Sequence, residues 1–149
     1  MASITLRFLA EPSTVSFSGK VHGGTVMKWI DEAGYACATR WAKHYCVTVS
    51  VGNIRFQRPI TIGDLVEVQA RLAYTGRTSM NISVEVRSGD IKTGKMEIIT
   101  ACLLVFVAVD AEGKPLQVDS WLPETPGDIA LAQRVKAHLD AARPAPPAD

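Results

Sequence analysis

Hydrophobic and polar residues alternate most regularly between residues 66 and 86. Every second residue from Val66 to Tyr74 is apolar, and after Gly76 the same alternation runs from Met80 to Val86. A period of two is typical of a β-strand with one buried face. The pattern therefore predicts two antiparallel strands joined by a turn around residues 74–78.

Three further segments have the composition of strands. Nearly every residue from 98 to 109 is apolar, which predicts a strand covered on both faces. Residues 46–56 are predicted to form a strand whose pattern changes phase at Gly52, where a β-bulge would return its apolar residues to one face. Residues 4–9 form a short strand, and polar residues with two glycines predict a loop over residues 88–95.

Between the first two strands, apolar residues recur at helical spacing. They predict a long and mostly buried helix over residues 23–41. The stripe consists of Val26, Ile30, Ala33, Cys37 and Trp41.

A second helix is predicted near the C-terminus. Thr125 is a suitable N-cap, Pro126 suits the first turn, and Asp128 stands three residues after the cap. Residues 143–149 include three prolines and are expected to be disordered. We therefore predict one domain over residues 1–122, followed by a C-terminal helix and tail over residues 123–149. The predicted apolar stripe of this helix is Ile129, Ala132, Val135 and Leu139.

The order of these elements predicts an α+β protein. A short strand, a long helix and four strands with hairpin-like connections can form an antiparallel sheet wrapped around one buried helix. One helix cannot cover both ends of such a sheet, so we expect the chain to pair with a second copy.

Composition excludes several functional classes. The chain has 149 residues and a formal charge of +1, which gives no reason to expect nucleic acid or an anionic membrane as a partner. No segment approaches the roughly 20 apolar residues of a membrane span, and the N-terminus lacks a signal-peptide core, so a cytoplasmic location is expected. Cys37, Cys46 and Cys102 lack metal-ligand spacing and are expected to be buried, reduced thiols.

The segment from residue 19 to residue 34 carries the most unusual residues. His22, Gly23 and Gly24 open the long helix, where free backbone N–H groups carry partial positive charge and can polarise a carbonyl oxygen. Asp31 stands two turns later in a mostly apolar helix. From periodicity alone, Asp31 is either a solvated acid at the edge of the stripe or a partly buried carboxylate that acts as general base or nucleophile.

Four ordered segments closely resemble the acyl-CoA thioesterases of the hotdog fold, which include brain-type acyl-CoA hydrolase and small bacterial thioesterases. The first is Val21-His22-Gly23-Gly24-Thr25-Val26-Met27-Lys28-Trp29-Ile30-Asp31-Glu32-Ala33-Gly34. The others are Arg55-Phe56-Gln57-Arg58-Pro59-Ile60 followed by Gly63-Asp64, Gly76-Arg77-Thr78-Ser79-Met80, and Phe106-Val107-Ala108-Val109-Asp110 with Gly113-Lys114-Pro115.

The resemblance implies a hotdog domain that dimerises into a double hotdog and hydrolyses acyl-CoA to a free acid and CoA. It implies Asp31 as base or nucleophile and a backbone N–H near Gly24 as oxyanion donor, without a metal or cofactor. The family's site forms between two subunits, so these two groups can come from different chains, and the family often assembles as a trimer of dimers. Where the family commonly has a catalytic Asn upstream of the glycines, this chain has Ser16, which has a shorter reach, and Lys20 is another aligned polar position.

The resemblance also implies residues that bind the CoA moiety. His22 and Gly23 lie at the helix start, although His22 is more simply a structural residue than an acid–base group. Arg55 and Arg58 suit CoA phosphates, but either can equally be a solvated strand charge. The turn that meets pantetheine and phosphates in the family is otherwise a plain hairpin turn. Its residues are Gly76, Arg77, Thr78 and Ser79.

Two other functions remain open from the sequence. The first is a non-catalytic protein that binds acyl-CoA or CoA, which the change at Ser16 keeps open. The second is a hotdog hydratase or dehydratase, which would pair His22 with Asp31, although the flanking motifs do not resemble those enzymes.

Overall fold

The computed structural model describes residues 2–12, 18–52 and 54–142. Both predicted helices and all five predicted strands are present. In chain order they are strand β1 (Ser3–Leu9), helix α1 (Gly23–Ala42), strand β2 (Cys46–Val51), strand β3 (Leu65–Thr75), strand β4 (Ser79–Gly89), strand β5 (Met96–Ala108) and helix α2 (Pro126–Ala142).

The strands form one antiparallel sheet in the order β1-β3-β4-β5-β2. Strands β3, β4 and β5 follow one another as hairpins, as predicted. Strand β2, however, lies at the edge opposite β1 and pairs with β5, so the connection from β2 leads past β5 and β4 to β3, the strand next to β1. The expectation of a hairpin-like connection is therefore wrong for β2, because an alternating pattern predicts a strand but not its neighbour.

The irregularity in β2 lies earlier than predicted. The pairing with β5 shifts between Thr48 and Ser50, so the extra residue is Val49 rather than Gly52. Gly52 follows the end of the strand, where its N–H donates to the carbonyl oxygen of Leu103 at 2.8 Å. A Cβ atom at residue 52 would lie 3.2 Å from that oxygen, which explains the glycine as a site of close approach.

The bulge changes which residues of β2 face helix α1: Thr48 does so before it, and Val51, opposite the buried Leu104, does so after it. Thr48 lies opposite the buried Phe106 and faces helix α1, whereas Val47 lies opposite Val107 on the other face. The sequence pattern predicted that the valines of β2 share one buried face. This prediction is wrong. All three are exposed in the single subunit: Val47, Val49 and Val51.

Helix α1 packs on one face of the sheet, chiefly on β3 and β4. Its opposite side is exposed, with Met27 at 47% and Tyr35 at 38% of their full accessible surface. In a single subunit the helix is therefore half buried rather than mostly buried. Its buried residues are Val26, Ile30, Ala33, Gly34, Cys37 and Ala38.

Helix α2 covers part of the other face of the sheet. Leu131 and Val135 pack against Ala73, together with Leu103 and Leu139. The predicted stripe was wrong at its start, because Ile129 is exposed and Leu131 takes the buried position. Strand β5 is consequently covered fully on the α1 side and only in part on the α2 side, whereas its sequence predicted cover on both faces.

The first turn of α2 is held as predicted. The Asp128 N–H donates to Oγ1 of Thr125 at 3.1 Å, which is the expected N-cap contact. The Asp128 carboxylate accepts a hydrogen bond from Arg71 of β3 at 2.5 Å. This guanidinium holds the pKa of Asp128 below its ordinary value. The boundary between a domain at 1–122 and a C-terminal segment stays a prediction, and residues 143–149 lie outside the described residues.

The three cysteines are free and buried, as predicted. Burial raises the pKa of Cys37 and of Cys102 to about 11, so both thiols are protonated at neutral pH. Within the described ranges, no helix has the length and apolar character needed to cross a bilayer.

Candidate active site

The Asp31 carboxylate is held by a residue of the neighbouring edge strand. The Thr48 hydroxyl donates to Oδ1 of Asp31 across 2.9 Å. Asp31 lies on the exposed side of α1, one turn after Met27 and one turn before Tyr35. The carboxylate therefore stands between two large apolar side chains with one of its oxygens oriented by a hydrogen bond.

The single subunit leaves Asp31 exposed. The expectation of a partly buried carboxylate is therefore not met by one chain. The adjacent acid, Glu32, makes an ion pair with Lys28 at 3.9 Å on the outer side of the helix. The two neighbouring acids thus differ in environment: Asp31 contacts the sheet, and Glu32 contacts its own helix.

The helix start is open, as its glycines predicted. His22 is the N-cap residue, its side chain makes no capping hydrogen bond, and its carbonyl accepts from the N–H groups of Thr25 and Val26. A Cβ atom at Gly23 would lie 3.3 Å from the Phe56 ring, whereas one at Gly24 would meet nothing within 4 Å. Gly24 is exposed, and the N–H of this first-turn residue has no acceptor within its helix.

His22 and Asp31 are not brought together in one chain. Nine residues of helix separate them, which is roughly 13 Å at a rise of about 1.5 Å per residue. The His–carboxylate pair that a hydratase would need is therefore absent from the geometry of a single chain.

The segment after β2 brings its two arginines to the end of the sheet nearest the helix start. Arg58 makes an ion pair with Glu97 near the beginning of β5. Arg55 is exposed and has no ion-pair partner among the described residues. Of the two predicted phosphate ligands, Arg55 is thus the one with a free guanidinium.

The turn between β3 and β4 lies at the other end of the sheet. The Gly76 N–H donates to the carbonyl of Ser79 at 2.9 Å, which closes the turn. The Arg77 carbonyl oxygen accepts from the Val118 N–H at 2.9 Å, and the Thr78 carbonyl oxygen accepts from the N–H of Ala108, the last residue of β5, at 3.3 Å. The Arg77 side chain stays exposed, and a Cβ atom at residue 76 would meet Ser79 Oγ at 2.5 Å.

Ser16, the remaining predicted site residue, lies outside the described residues. Among the residues that the structure describes, no three His, Cys, Asp or Glu side chains cluster as metal ligands.

Thr48 was missed by the sequence analysis. A polar residue among valines was treated as an ordinary outward-facing position, because the bulge was placed at Gly52. Thr48 instead shares the helix-facing side of β2 with the buried Cys46, and it lies opposite the buried Phe106. The available signal was a hydroxyl residue in the strand that directly follows the helix carrying Asp31.

The five-stranded antiparallel sheet with one long helix on its face is the hotdog fold. Residues 18–95 match the family model described as the thioesterase superfamily. The chain belongs to this superfamily, and the resemblance to the hotdog acyl-CoA thioesterases is confirmed.

Similarity to individual proteins covers most of the chain. The chain is 36% identical over 115 residues to the acyl-CoA thioester hydrolase YciA of Escherichia coli K12, covering 75% of this chain and 87% of YciA. A crystal structure of an apo hexameric acyl-CoA thioesterase superposes with a TM-score of 0.89 at 31% identity, covering 94% of this chain and 90% of that one.

The acyl-CoA hydrolase of Staphylococcus aureus, solved with butyryl coenzyme A, coenzyme A and coenzyme A disulfide, gives a TM-score of 0.87 at 28% identity. The match covers 94% of this chain and 85% of the hydrolase. Structures of alanine variants of the same hydrolase at an aspartate, an asparagine and a threonine superpose with TM-scores of 0.86, 0.85 and 0.83.

Proposed function

We propose that the protein hydrolyses acyl-CoA thioesters to a free carboxylic acid and CoA, with Asp31 as the general base or nucleophile. The observation that carries the proposal is the hydrogen bond from Thr48 to Asp31, because it orients a carboxylate on an otherwise apolar, exposed helix face. The names of the relatives supply the substrate class: YciA is an acyl-CoA thioester hydrolase, and the staphylococcal enzyme was solved with butyryl coenzyme A.

The spacing of three residues supports the assignment of Asp31. In the staphylococcal hydrolase, the altered asparagine stands fifteen residues before the altered aspartate, and the altered threonine stands seventeen residues after it. Here Ser16 stands fifteen residues before Asp31, and Thr48 stands seventeen residues after it. We therefore infer that Thr48 belongs to the site, and that Ser16 occupies the position of the asparagine.

The distances within one chain favour a site shared by two subunits. Gly24 and Asp31 are seven residues apart on one helix, which separates them by roughly 10 Å along its axis. A carbonyl oxygen bound at Gly24 would thus lie too far from Asp31 for attack on the same carbonyl carbon. A second copy, contributing the other group, would remove this difficulty.

The predicted CoA ligands support the same arrangement. The contact of Arg58 with Glu97 and the contact of Thr78 with Ala108 lie at opposite ends of β5, roughly 35 Å apart at about 3.3 Å per residue. An antiparallel second copy against the free edge of β2 would bring the arginines of one chain near the Gly76–Ser79 turn of the other. The exposed valines of β2 would provide the apolar contact between the two copies.

The reaction can be written with the groups at hand. In the general-base route, Asp31 takes a proton from water as the water oxygen attacks the thioester carbon. The Gly24 N–H stabilises the resulting oxyanion, and the C–S bond then breaks to release the CoA thiolate, which takes up the proton. In the nucleophilic route, a carboxylate oxygen of Asp31 attacks the thioester carbon and displaces the CoA thiolate. Water then cleaves the mixed anhydride to the free acid and regenerates the Asp31 carboxylate, and the thiolate takes up the proton released from water.

The test measures CoA release from a panel of acyl-CoAs with a thiol reagent. Wild-type protein is compared with Asp31→Asn and with the matched control Glu32→Gln, which changes the adjacent exposed acid. We expect turnover that Asp31→Asn reduces by at least a hundredfold and that Glu32→Gln leaves within about threefold. Turnover that survives Asp31→Asn would contradict the role of Asp31, and binding of CoA without turnover would favour the non-catalytic alternative.

A further inference from the structure

Gly34 allows a close approach between helix α1 and strand β5. A Cβ atom at residue 34 would lie 2.9 Å from Cε2 and 3.1 Å from Cζ of Phe106, and 3.5 Å from Cδ2 of Leu104. Ordinary contacts of a Cβ atom begin near 3.4 Å. Any side chain at residue 34 would therefore force the helix and the ring apart by about half an ångström or more.

The Phe106 ring has little room to retreat. It is fully buried, and its neighbours in the sheet are Met80 of β4 and Thr48 of β2. The Tyr35 ring packs edge-on against it, with ring centroids 6.4 Å apart. A packed aromatic ring of this kind resists displacement, so the helix would have to move instead.

Movement of the helix at Gly34 acts directly on Asp31. Gly34 lies three residues after Asp31, on the next turn of α1, and Phe106 lies opposite Thr48 in the β2–β5 ladder. The contact between Gly34 and Phe106 thus sets the distance between the two elements that carry the Thr48–Asp31 hydrogen bond. A shift of half an ångström would stretch that bond from 2.9 Å beyond the usual range.

We propose that Gly34 and Phe106 form a positioning pair that keeps Asp31 within hydrogen-bond reach of Thr48. The proposal rests on the function of Asp31 in thioester hydrolysis proposed above. It assigns a role in catalysis to two buried groups that do not touch the substrate. Gly34 has this role because it has no side chain, and Phe106 because its ring fills the space that glycine leaves.

The test uses Gly34→Ala, Phe106→Leu and the double variant. In the interior of a helix, alanine is intrinsically preferred to glycine, so a loss in Gly34→Ala would come from the contact with Phe106. We expect Gly34→Ala to lower kcat by roughly 10- to 100-fold, with KM changed by less than about threefold. In the double variant, the leucine side chain at residue 106 leaves room for the added methyl group at residue 34. Its kcat should therefore lie within about threefold of that of Phe106→Leu alone.

Ala33→Gly is the control for general destabilisation. Ala33 is fully buried beside Gly34, and its change to glycine weakens the helix without adding an atom near Phe106. Activity is measured at least 15 °C below the melting temperature of every variant. A loss of kcat in Ala33→Gly equal to that in Gly34→Ala, or a double variant without recovery, would overturn the proposal.

Wild-type protein and Asp31→Asn are measured in the same series. If wild-type turnover depends on Asp31 but Gly34→Ala keeps full kcat, the positioning role alone is wrong. If Asp31→Asn keeps full turnover, the proposed role of Asp31 is wrong and the positioning role falls with it.

Discussion

Thr48 on the edge strand donates its hydroxyl hydrogen to Asp31 on the central helix, across 2.9 Å. The contact joins helix α1 to strand β2. In the sequence, the last turns of the helix and a short loop lie between the two residues. It also leaves the second carboxylate oxygen of Asp31 without a hydrogen bond to any described residue. The geometry therefore orients one oxygen and presents the other to a substrate or to water.

Removal of the Thr48 hydroxyl should reduce turnover. We expect Thr48→Val to lower kcat by about tenfold or more, because Asp31 then samples several rotamers and is correctly oriented less often. Thr48→Ser retains the hydroxyl and should keep most of the activity. Steady-state kinetics with one acyl-CoA measure both, and equal losses in the two variants would contradict a role for the hydroxyl.

Removal of one N–H group tests the oxyanion site. Gly24→Pro deletes the amide hydrogen at a first-turn position, where proline is compatible with a helix. We expect kcat to fall by roughly 100-fold or more, because the loss of one oxyanion-hole donor has an effect of this size in other hydrolases. Gly24→Ala retains the N–H, and a Cβ atom there meets nothing within 4 Å, so its fold and most of its turnover should persist.

Much of this architecture could be predicted from the sequence. Strands β3 and β4, helix α1 and the cap at Thr125 could be predicted because each depends on residues close together in the sequence. Each strand or helix buries one face, and this burial gives its apolar residues a regular spacing. The position of β2 could not be predicted, because pairing depends on which strand edge is free after the others have formed. The Asp31–Thr48 contact follows from that pairing, which places Thr48 opposite the buried Phe106, so it could not be predicted either.

The exposed edge of β2 should mediate association. Val49 is 53% exposed on that edge, so Val49→Lys should weaken pairing of two copies and lower activity in parallel. Size-exclusion chromatography with light scattering reports the mass at a series of protein concentrations. Ile91→Lys, a matched change of an apolar residue that is 61% exposed in the β4–β5 loop, should leave the mass unchanged.

The Arg71–Asp128 ion pair should make the docking of α2 sensitive to acid. Hydrogen bonding to Arg71 lowers the pKa of folded Asp128 below 3.8, so the unfolded chain binds this proton first as pH falls. The stabilisation is present above about pH 4 and is lost as pH falls through the lowered pKa. Asp128→Asn should lower Tm by about 2–4 °C at pH 6 and have a smaller effect near pH 2.

Asp140→Asn is the control for this prediction, since it removes an exposed carboxylate from the same helix. Thermal unfolding followed by circular dichroism at both pH values compares the two variants. An equal change in Tm at pH 6 and at pH 2 for Asp128→Asn would contradict a contribution from the charged pair.

The location of Thr48 on an outermost strand has a consequence for how the protein behaves as it is diluted. A strand that is hydrogen-bonded on one side only frays more readily than one enclosed by two neighbours, and fraying at residue 48 would release the carboxylate it orients. A companion chain along that side would suppress the fraying. The rate per polypeptide should therefore rise with protein concentration until association is complete, which makes self-assembly part of the catalytic apparatus.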